Sequence, residues 1–314
     1  MKCTNCPRHC AVDRTVVQGF CQAGRQPEAA TVCAHRGEEP PISGQRGICN
    51  IFFAHCNLQC IYCQNHQISS YRNNQNTLNI PNNQNNPIIQ NNSPSCIEGV
   101  EAIADRVAEV LPQTENIVGL VTPSHYADSI PALVEALHSR GLFPTIVYNT
   151  GGYDSVETLR KLEPYVDVYL PDFKYMDSSL ALRYSHAEDY PEVALAALRE
   201  MYNQKGSALP TDDRGIAYRS IIVRHLVLPG QVENSLRVLD AIADISINLH
   251  VALMAQYFPP FDGLPDQLGR TLTEEEYRQV TDHFYAVGLH RGWLQELDAQ
   301  SCYRPDFTRQ QAFE

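Results

Sequence analysis

Apolar and polar residues alternate along this chain in blocks that predict β-strands followed by α-helices. Short apolar runs predict six buried strands, at 51–55, 117–121, 145–148, 166–170, 219–228 and 249–254. Apolar residues at helical spacing predict helices at 129–139, 155–162, 178–185, 191–204 and 233–243. Ser95 with Glu98 forms a capping box that predicts a helix up to Leu111. Thr273 with Glu276 predicts the last helix, up to about residue 287.

Strands that alternate with helices pack as a parallel sheet with right-handed crossovers. Six β/α units are too few for a closed eight-stranded barrel, so we predict an α/β fold with an open, partial (β/α)6 barrel at residues 49–290. Residues 1–48 are rich in Cys, Gly and Pro and predict a small Cys-rich module stapled by metal. Residues 291–314 are expected to form a C-terminal tail.

One segment departs from the composition of a folded domain. Residues 72–95 contain ten Asn and three Gln and few clustered apolar side chains. Such a segment buries too little apolar surface to offset the entropy of ordering. We therefore expect it to be a mobile insertion in the barrel.

Charge and hydropathy narrow the function classes. The net charge of −12 opposes nonspecific binding to nucleic-acid phosphates, so no nucleic-acid partner is expected. No apolar run reaches the roughly 18 residues that cross a bilayer, so no membrane association is expected. The start, MKCTNCPRHC, has no apolar core after a basic segment, so no secretory signal is expected and the cytoplasm is the predicted location.

Eleven cysteines dominate the remaining composition. A reducing cytosol does not keep structural disulfides, so clustered cysteines indicate metal binding. Six cysteines lie within the first 49 residues and three more between positions 56 and 63. Cys96 and Cys302 stand alone and are expected to be buried or incidental thiols.

The predicted strands end in polar or Gly- and Pro-rich segments. Chemistry in parallel α/β proteins lies at the carboxyl ends of the strands, so these segments are expected to share one rim. They read His55-Cys56-Asn57, Thr122-Pro123-Ser124-His125, Asn149-Thr150-Gly151-Gly152, Pro171-Asp172-Phe173-Lys174, Pro229-Gly230 and Gln256-Tyr257.

The first of these segments begins a three-cysteine motif, Cys56-x3-Cys60-x2-Cys63. Three thiolates on one short loop can hold three irons of a [4Fe–4S] cubane and leave the fourth iron open to a ligand. A zinc knuckle completed by His66 is the alternative, because structural zinc takes four closed ligands. The buried strand before the loop and the polar rim around it favour the cluster.

A second cysteine group occupies the N-terminal module, with the spacing Cys3-x2-Cys6-x3-Cys10-x10-Cys21. Four thiolates can close a structural zinc site. An auxiliary iron–sulfur cluster that relays electrons or binds substrate is an alternative, as is redox regulation. Cys33 and Cys49 lie nearby in the sequence and leave the choice of ligands open.

The cysteine motif, with an aromatic residue before its last cysteine, resembles the radical S-adenosylmethionine superfamily. The run from Ile51 to Ser69 resembles its activating-enzyme branch, and within it the pyruvate formate-lyase-activating-enzyme-like group of Fe–S proteins. The resemblance covers nearly the whole chain except the Asn-rich segment. It is carried by the blocks CPRHC, EEPPISG, YNTGGY, VDVYLPDFKY, RHLVLPG and LMAQYFPP.

The resemblance implies a reaction and its cofactors. The open iron would chelate the methionine amino and carboxylate groups of S-adenosylmethionine. One electron from the reduced cluster would split this cofactor into methionine and a 5′-deoxyadenosyl radical, which abstracts hydrogen from a substrate. A flavodoxin or ferredoxin type of electron donor is the implied partner.

The resemblance also implies cofactor-binding residues around the rim. The superfamily usually places a Gly-Gly-Glu motif after the second strand, but this chain has no glutamate there, so Thr122 and backbone carbonyls are the expected substitutes. Asp172 and Lys174 match an Asp-x-Lys element and suit a zwitterionic amino acid, with a local surface ion pair as the alternative. Asn149 and Thr150 are expected to contact the carboxylate or ribose.

The roles of three further pairs of residues are less constrained. Arg224 and His225 are adjacent in a strand and must point to opposite faces, so one of them is expected to enter the barrel, and His225 is the candidate cofactor ligand. Gln256 and Tyr257 occupy the place of a ribose contact or of simple rim residues. Gly151 and Gly152 permit either a close backbone approach or a plain turn.

The substrate is expected to be a protein or peptide, as for enzymes that install glycyl radicals. Radical modification of a small molecule is the alternative within enzymes. From a different class, an Fe–S electron carrier and a zinc-stabilised interaction protein remain. Neither of these needs an open iron or the polar groups of a common rim.

Overall fold

The computed structural model describes residues 2–69, 96–301, 304–309 and 312–313. The predicted Asn-rich insertion at 72–95 and Cys302 lie outside these residues. The strands of the described part are β1 Glu28–His35, β2 Ile48–Phe53, β3 Ile97–Glu98, β4 Ile117–Val121, β5 Thr145–Thr150, β6 Val168–Pro171, β7 Ser220–Leu226, β8 His250–Met254 and β9 Gly292–Leu294.

The α-helices of the same described ranges are α1 Pro40–Ser43, α2 His66–Ser69, α3 Val100–Val110, α4 Ile130–Ser139, α5 Val156–Leu162, α6 Ser178–Ser185, α7 Tyr190–Lys205, α8 Val232–Ile245 and α9 Glu274–Ala286. Short 3-10 segments are Leu111–Gln113, Ser124–Ser129, Glu163–Tyr165, Asp266–Gly269 and Leu297–Ser301. Every helix in the described part of the chain is too short or too polar to cross a membrane.

The strands form one sheet in the order β3-β1-β2-β4-β5-β6-β7-β8-β9. All pairs from β2 to β9 are parallel, whereas β1 pairs antiparallel with β2 and β3 pairs antiparallel with β1. The two ends of the sheet, β3 and β9, are not paired with each other, so the barrel is open. The predicted fold class, an open α/β barrel with a parallel sheet, is therefore confirmed.

The sheet is buried on both faces, as parallel sheets are. Strand β2, with the sequence ICNIFF, is buried along its whole length. Helix α3 packs its apolar stripe of Ile103, Val107 and Val110 toward the interior. The main apolar core thus lies between the sheet and its surrounding helices, and the carboxyl edge of the sheet is left to carry polar groups.

The predicted capping box at Ser95 is wrong. Glu98 lies in β3, where it pairs with Glu28, and Gly99 precedes the first turn of α3. Ser95 itself is outside the described residues. Glu98 therefore pairs with a residue 70 positions away in the chain and does not cap a helix. The predicted box of Thr273 and Glu276 is confirmed, with both of its hydrogen bonds present.

The sheet extends past both predicted domain boundaries. Strand β1 lies inside the predicted module at 1–48, and β9 lies inside the predicted tail at 291–314. Strand β1 pairs antiparallel with β2, and β9 pairs parallel with β8. The backbone hydrogen bonds of these segments are satisfied by the barrel. The sheet therefore continues beyond residue 48 on one side and residue 290 on the other, the two predicted domain boundaries.

Candidate functional site: a three-cysteine cleft at the carboxyl edge of the sheet

The loop that carries the three cysteines leaves β2 at its carboxyl end. Two residues of this loop that are not glycine have left-handed backbone conformations, His55 at φ 70° and Gln59 at φ 59°, each immediately before a cysteine. Such conformations persist only where the surrounding structure enforces them, and they concentrate at functional sites. The amide of Asn57 anchors the loop by donating to the Tyr153 carbonyl at 2.9 Å, and the Ile61 N–H donates to the Tyr184 carbonyl at 2.9 Å.

The three cysteines border a cleft of about 230 Å³, which we call the cysteine cleft. The ends of β4, β5, β6 and β8 supply its other polar walls. The structure brings together at this cleft most of the residues expected from the sequence: Cys56, Cys60, Cys63, Thr122, Asn149, Thr150, Asp172, Lys174 and Gln256.

Each cysteine sulfur accepts a hydrogen bond from the protein. The Ser185 hydroxyl donates to Cys60 Sγ at 2.9 Å, and the Ser69 hydroxyl donates to Cys63 Sγ at 3.5 Å. The Leu58 N–H donates to Cys56 Sγ at 3.3 Å. Donors of this kind stabilise sulfur that carries negative charge, as in a thiolate bound to iron.

Burial disfavours the thiolate form of two of the three cysteines. Burial raises the pKa of Cys60 to about 12 and also raises the pKa of Cys63. Lys174 opposes both shifts because its ammonium group is close to the sulfurs. Deprotonation of these cysteines near neutral pH therefore requires a bound metal, which replaces the proton as the positive charge on sulfur.

A cluster and a single metal ion need different arrangements of the cysteine sulfurs. Within the described ranges, no group of three or more His, Cys, Asp or Glu side chains is arranged to hold a metal ion. The zinc alternative with His66 has no such preformed site; the His66 ring hydrogen-bonds with the Cys63 carbonyl instead, at 3.1 Å. Thiolates of a cubane bind different irons and need not converge on one point. Three cysteines on one loop are the type and number of ligand that a cubane with one open iron takes, so the donor set is compatible with such a cluster.

Asp172 and Lys174 form an ion pair in the wall of the cleft, with Nζ 2.5 Å from Oδ2. Burial opposes the charge of Lys174, but the Asp172 carboxylate and the Cys60 sulfur raise the pKa of the ammonium well above its usual value. Both side chains are partly exposed, at 16% for Lys174 and 24% for Asp172. The pair therefore lines the cleft and is accessible from it.

Tyr190 holds the Asp172–Lys174 segment in place, and the sequence analysis missed it. Its hydroxyl accepts from the Lys174 N–H at 2.9 Å and lies 2.9 Å from the Gly151 carbonyl and 3.0 Å from the Asp172 carbonyl. Gly152 lies directly against this contact, at φ +80°, and a Cβ there would be 2.2 Å from the Asp172 carbonyl oxygen. The close backbone approach, rather than a plain turn, accounts for this glycine.

Thr150 is positioned by a buried carboxyl group. Its hydroxyl donates to Asp154, which also accepts from the Tyr148 hydroxyl at 2.8 Å, and the Ser124 hydroxyl lies 3.1 Å from the Thr150 hydroxyl. Burial raises the pKa of Asp154, and the hydroxyl donors act against this shift. The Thr150 hydroxyl is thus occupied within the protein, whereas the half-buried Asn149 side chain faces the cleft.

Thr122 follows β4, at the place where the superfamily that the sequence resembles usually has a glutamate. Its backbone has φ 57°, a rare conformation for a β-branched residue. Its N–H donates to the Asn149 carbonyl at 2.8 Å, which joins the ends of β4 and β5. The strained turn brings Thr122 to the wall of the cleft.

His225 and Tyr257 do not line the cleft, which corrects their prediction as cofactor ligands. The His225 ring is buried and lies between the Phe173 carbonyl at 2.7 Å and the Ser235 hydroxyl of α8 at 2.8 Å. The Tyr257 hydroxyl is buried too and donates to the Leu268 carbonyl at 2.6 Å. Alternation along β7 turns His225 away from the cleft and presents Arg224. Beyond the end of β8, Gln256 borders the cleft and its neighbour Tyr257 does not.

Arg224 enters the cleft together with two carboxylates that the sequence analysis did not single out as site residues. Its guanidinium binds Glu39 through two hydrogen bonds of 2.8 Å and also binds Glu38. The Asn50 amide donates to Glu38 at 2.8 Å. The two glutamates are adjacent in the EEPPISG block, but their burial, which requires a charged partner, is seen only in the structure.

Gln256 lies in the wall of the cleft and forms hydrogen bonds with two other glutamines. Its side-chain oxygen accepts from the Gln295 amide at 2.8 Å, and its amide donates to the Gln64 side chain at 3.3 Å. Gln64 is the residue after Cys63, so this chain of amides links the end of β8 to the cysteine loop.

The four cysteines of the N-terminal module also come together. Cys3, Cys6, Cys10 and Cys21 line one small cavity of about 10 Å³, next to His125. All ten cysteines of the described residues are free of disulfide bonds. The four cysteines of the predicted second metal site therefore border one cavity against the loop that follows β4, but within the described residues no three of them are arranged to hold a metal ion.

Fold and site together define an open, mostly parallel α/β barrel with a three-cysteine cleft at its carboxyl edge. No family model matches the sequence. The chain is 27% identical over 286 residues to the uncharacterised protein MJ0674 of Methanocaldococcus jannaschii, a match that covers 89% of this chain and 73% of that protein.

Two solved structures are similar in part. One is a domain of pyruvate-formate lyase-activating enzyme from Bacteroides vulgatus, with 15% identity, 55% of this chain and 92% of that chain covered, and a TM-score of 0.39. The other is native anSMEcpe with bound AdoMet, with 11% identity, 82% of this chain and 62% of that chain covered, and a TM-score of 0.46. Neither likeness is close enough to assign an activity to this chain.

Proposed function

We propose that this protein is a radical S-adenosylmethionine enzyme. The observation that carries the proposal is the placement of three cysteines of one loop in the same cleft as the Asp172–Lys174 ion pair. Among the cysteines that the structure describes, these three are the ones that border this cleft. A three-thiolate donor set leaves one iron of a cubane free for a ligand.

The cluster would be held by Cys56, Cys60 and Cys63. When bound, the reduced cluster supplies one electron to the sulfonium of S-adenosylmethionine, which yields methionine and a 5′-deoxyadenosyl radical that takes a hydrogen atom from substrate. The protein must orient the cofactor and exclude water. The hydroxyl and amide donors at the three sulfurs favour the charged, metal-bound state of these cysteines.

The ion pair suits the amino-acid end of S-adenosylmethionine. The Lys174 ammonium can bind a carboxylate, and the Asp172 carboxylate can bind an ammonium group, so the pair is complementary to a zwitterion. Tyr190 and Gly152 fix the backbone of the segment that carries this ion pair. Asn149, Thr122 and Gln256 offer uncharged hydrogen-bonding groups for the remaining amino-acid and ribose atoms.

The substrate and the electron donor belong to the same proposal. The resemblance to activating enzymes favours a protein or peptide as the source of the hydrogen atom. The required electron comes from a flavodoxin or ferredoxin type of protein. Radical modification of a small molecule would use the same cleft and the same first step.

The test is cleavage of S-adenosylmethionine by the full chain. Anaerobically reconstituted, dithionite-reduced protein should form 5′-deoxyadenosine and methionine even without substrate. The variant Cys60→Ala should lose both the cluster absorbance and the products. Cys33→Ala is the matched control, because Cys33 is buried in β1 and does not border the cleft, and it should retain both.

Two outcomes would contradict the proposal. A fully loaded and reducible cluster that forms no 5′-deoxyadenosine would indicate an electron carrier instead. One zinc per chain at these cysteines, without iron, would indicate a structural metal site.

A further inference from the structure

One wall of the cysteine cleft carries a charged group that the proposed reaction does not use. It consists of Arg224, Glu38 and Glu39, which we call the Arg224 triad. All three residues border the cleft, and their side chains are only 12%, 8% and 7% exposed. One guanidinium faces two carboxylates, so the triad has an excess of negative charge.

The Arg224 triad lies between the apolar interior of the barrel and the cleft. Side chains alternate along a strand, so Arg224 shares a face of β7 with Ile222, which belongs to an inner apolar cluster. Glu39 directly precedes α1, whose Ile42 belongs to the same cluster. Charges at this depth are costly unless each has a partner. A surplus carboxylate in this wall therefore needs a further positive partner.

The surplus carboxylate is that of Glu38. The Arg224 guanidinium makes two hydrogen bonds of 2.8 Å with the two carboxylate oxygens of Glu39 and also binds Glu38. Burial opposes the charge of Glu38, but Arg224 lowers the pKa of this carboxyl below its usual value, so it is ionised near neutral pH. Burial lowers the pKa of the neighbouring His35, so this ring is neutral and supplies no second positive charge.

Asn50 adds a free hydrogen-bond acceptor beside Glu38. Its amide donates to Glu38 at 2.8 Å, and its buried side-chain oxygen accepts no hydrogen bond within the part of the chain that the structure describes. Gly119 of β4 makes room for this oxygen, because a Cβ there would be 2.0 Å away. Carboxylate and amide oxygens accept hydrogen bonds and donate none. The unfilled capacity of this wall therefore suits a group that is positively charged and carries N–H donors.

Aromatic rings border the cleft next to the Arg224 triad. Phe52 shares a face of β2 with Asn50, and His35 and Phe313 border the cleft with it. The centroid of the Phe313 ring lies 4.1 Å from that of His35 and 5.4 Å from that of Phe52. Such rings pack against the alkyl stem of a long cationic side chain and attract its charge.

The Arg224 triad adjoins the proposed cofactor site. Asp172, just beyond β6, pairs with Arg224 of β7, and the Phe173 N–H donates to the Arg224 carbonyl at 2.7 Å. Lys174 is already paired with Asp172 and does not neutralise the triad. A group bound by the triad therefore lies next to the place where the cofactor would form its radical, as the transfer of a hydrogen atom requires.

We propose that the Arg224 triad, together with Asn50, binds a protonated amine or guanidinium of the substrate. Glu38 supplies the carboxylate for this cation, and the aromatic rings pack against the alkyl stem that carries it. This subsite positions the substrate and takes no part in the transfer of the hydrogen atom. It rests on the proposed function, because the bound molecule is the substrate of that reaction.

Calorimetric binding of matched probes to the full-length, cluster-loaded, oxidised protein tests the proposal. Saturating S-adenosylmethionine is present, so that the probes cannot bind at the Asp172–Lys174 pair. The probes Nα-acetyl-lysine amide and Nα-acetyl-arginine amide carry the two cations, and Nα-acetyl-norleucine amide has an alkyl stem without one. At least one cationic probe should bind about tenfold or more tightly than the norleucine probe. Equal binding of all three would overturn the proposal.

The variant Glu38→Gln keeps the size of the side chain and removes the surplus charge, so it should abolish the preference for a cationic probe. Glu157→Gln is the matched control, because it removes one carboxylate from an exposed ion pair with Lys161, and it should retain the preference. A preference that Glu38→Gln leaves unaffected would place the cation elsewhere and overturn the proposal. If Glu38→Gln does not fold, the comparison of the probes on the wild-type protein still decides.

Two further probes distinguish the sources of the cation. The tripeptide Gly-Lys-Gly represents a peptide substrate, and cadaverine represents a small amine. Tighter binding of the tripeptide supports a protein or peptide substrate, tighter binding of cadaverine supports a small molecule, and either result supports the subsite. None of these measurements needs turnover, so a negative result would leave S-adenosylmethionine cleavage, and with it the proposed function, intact.

Discussion

The Ser185 hydroxyl donates a hydrogen bond to Cys60 Sγ at 2.9 Å, although the two residues lie 125 positions apart in the chain. Ser185 is the last residue of α6, and its oxygen also lies 2.7 Å from the Tyr175 hydroxyl. The Tyr175 hydroxyl in turn lies 2.6 Å from the Tyr62 hydroxyl, next to Cys63. A chain of buried hydroxyls therefore ends on one of the sulfurs that would bind iron.

Replacement of Ser185 by alanine should lower the reduction potential of the cluster in the cleft. The lost hydrogen bond stabilises the more negative, reduced state, by an amount of about 1 kcal/mol. Redox titration followed by electron paramagnetic resonance measures the shift. Ser178→Ala is the control, because Ser178 is exposed on the same helix and should leave the potential unchanged. An unaltered potential in Ser185→Ala would remove this serine from the site.

Replacement of Lys174 by methionine should weaken S-adenosylmethionine binding and leave the iron content unchanged. Loss of a charged hydrogen-bond donor to a carboxylate raises Kd by about tenfold to a hundredfold. Equilibrium binding to the oxidised, cluster-loaded protein measures this change. Lys161→Met is the control, because Lys161 makes an exposed ion pair with Glu157 on α5. Equal affinities for the two variants would show that the ion pair with Asp172 does not bind the cofactor.

Gly152→Ala should destabilise the protein and weaken cofactor binding together. The new Cβ would meet the Asp172 carbonyl oxygen at 2.2 Å, so β6 and the cleft wall must move. Gly141→Ala is a close control, because Gly141 has a similar φ of +75° and no atom within 4 Å of an added Cβ. Both variants should lose about 1 kcal/mol from backbone strain, and only Gly152→Ala should lose more. Urea unfolding and binding titrations distinguish the two, and identical losses would contradict the close contact.

Glu276 should make the stability of the protein depend on pH. Hydrogen bonding from Arg270 is the largest cause that lowers the pKa of this carboxyl, to about 2, below its value of about 4.3 in an unfolded chain. The carboxylate therefore contributes stability above the unfolded pKa, and this contribution is lost as the pH falls from about 5 toward 2.

The variant Glu276→Gln measures this contribution. The wild type should exceed it in free energy of unfolding by about 2 kcal/mol at pH 7, and the difference should shrink steadily below pH 5. Urea unfolding at a series of pH values gives the difference. Glu275→Gln, which changes an exposed pair with Arg278, should show a much smaller and flatter difference. A difference for Glu276→Gln that is constant with pH would contradict the shifted pKa.

Much of the barrel could be predicted because its signals are local. Each of the six predicted strands is present, from β2 to β8 without β3, since a strand buried on both faces needs an unbroken apolar run. Three strands were missed. Strands β3 and β9 are too short to show a pattern, and β1, which pairs with both β2 and β3, has no regular alternation of buried and exposed residues. The capping box at Thr273 was predictable for the same reason, because its partners lie within one turn.

The candidate site could be predicted only in part. The spacing of Cys56, Cys60 and Cys63 and the rule that strand ends share a rim were enough to assemble the polar groups of one cleft. The residues that position them were not predictable. Ser185 and Tyr190 come from helices α6 and α7, and nothing in their own sequence indicates a sulfur or a backbone carbonyl as partner.

The sequence by itself determined the three-cysteine donor set, the parallel α/β class and the succession of strand ends, because each depends on spacing along the chain. Only the tertiary structure decided which of two adjacent strand residues faces the cleft. Arg224 faces it and His225 does not, because alternation puts the two side chains on opposite faces and packing determines which face borders the cleft. It also decided that Cys6 meets Asn57, a contact between segments separated by β1 and β2. Contacts of that kind depend on how the whole sheet folds, and no local pattern encodes them.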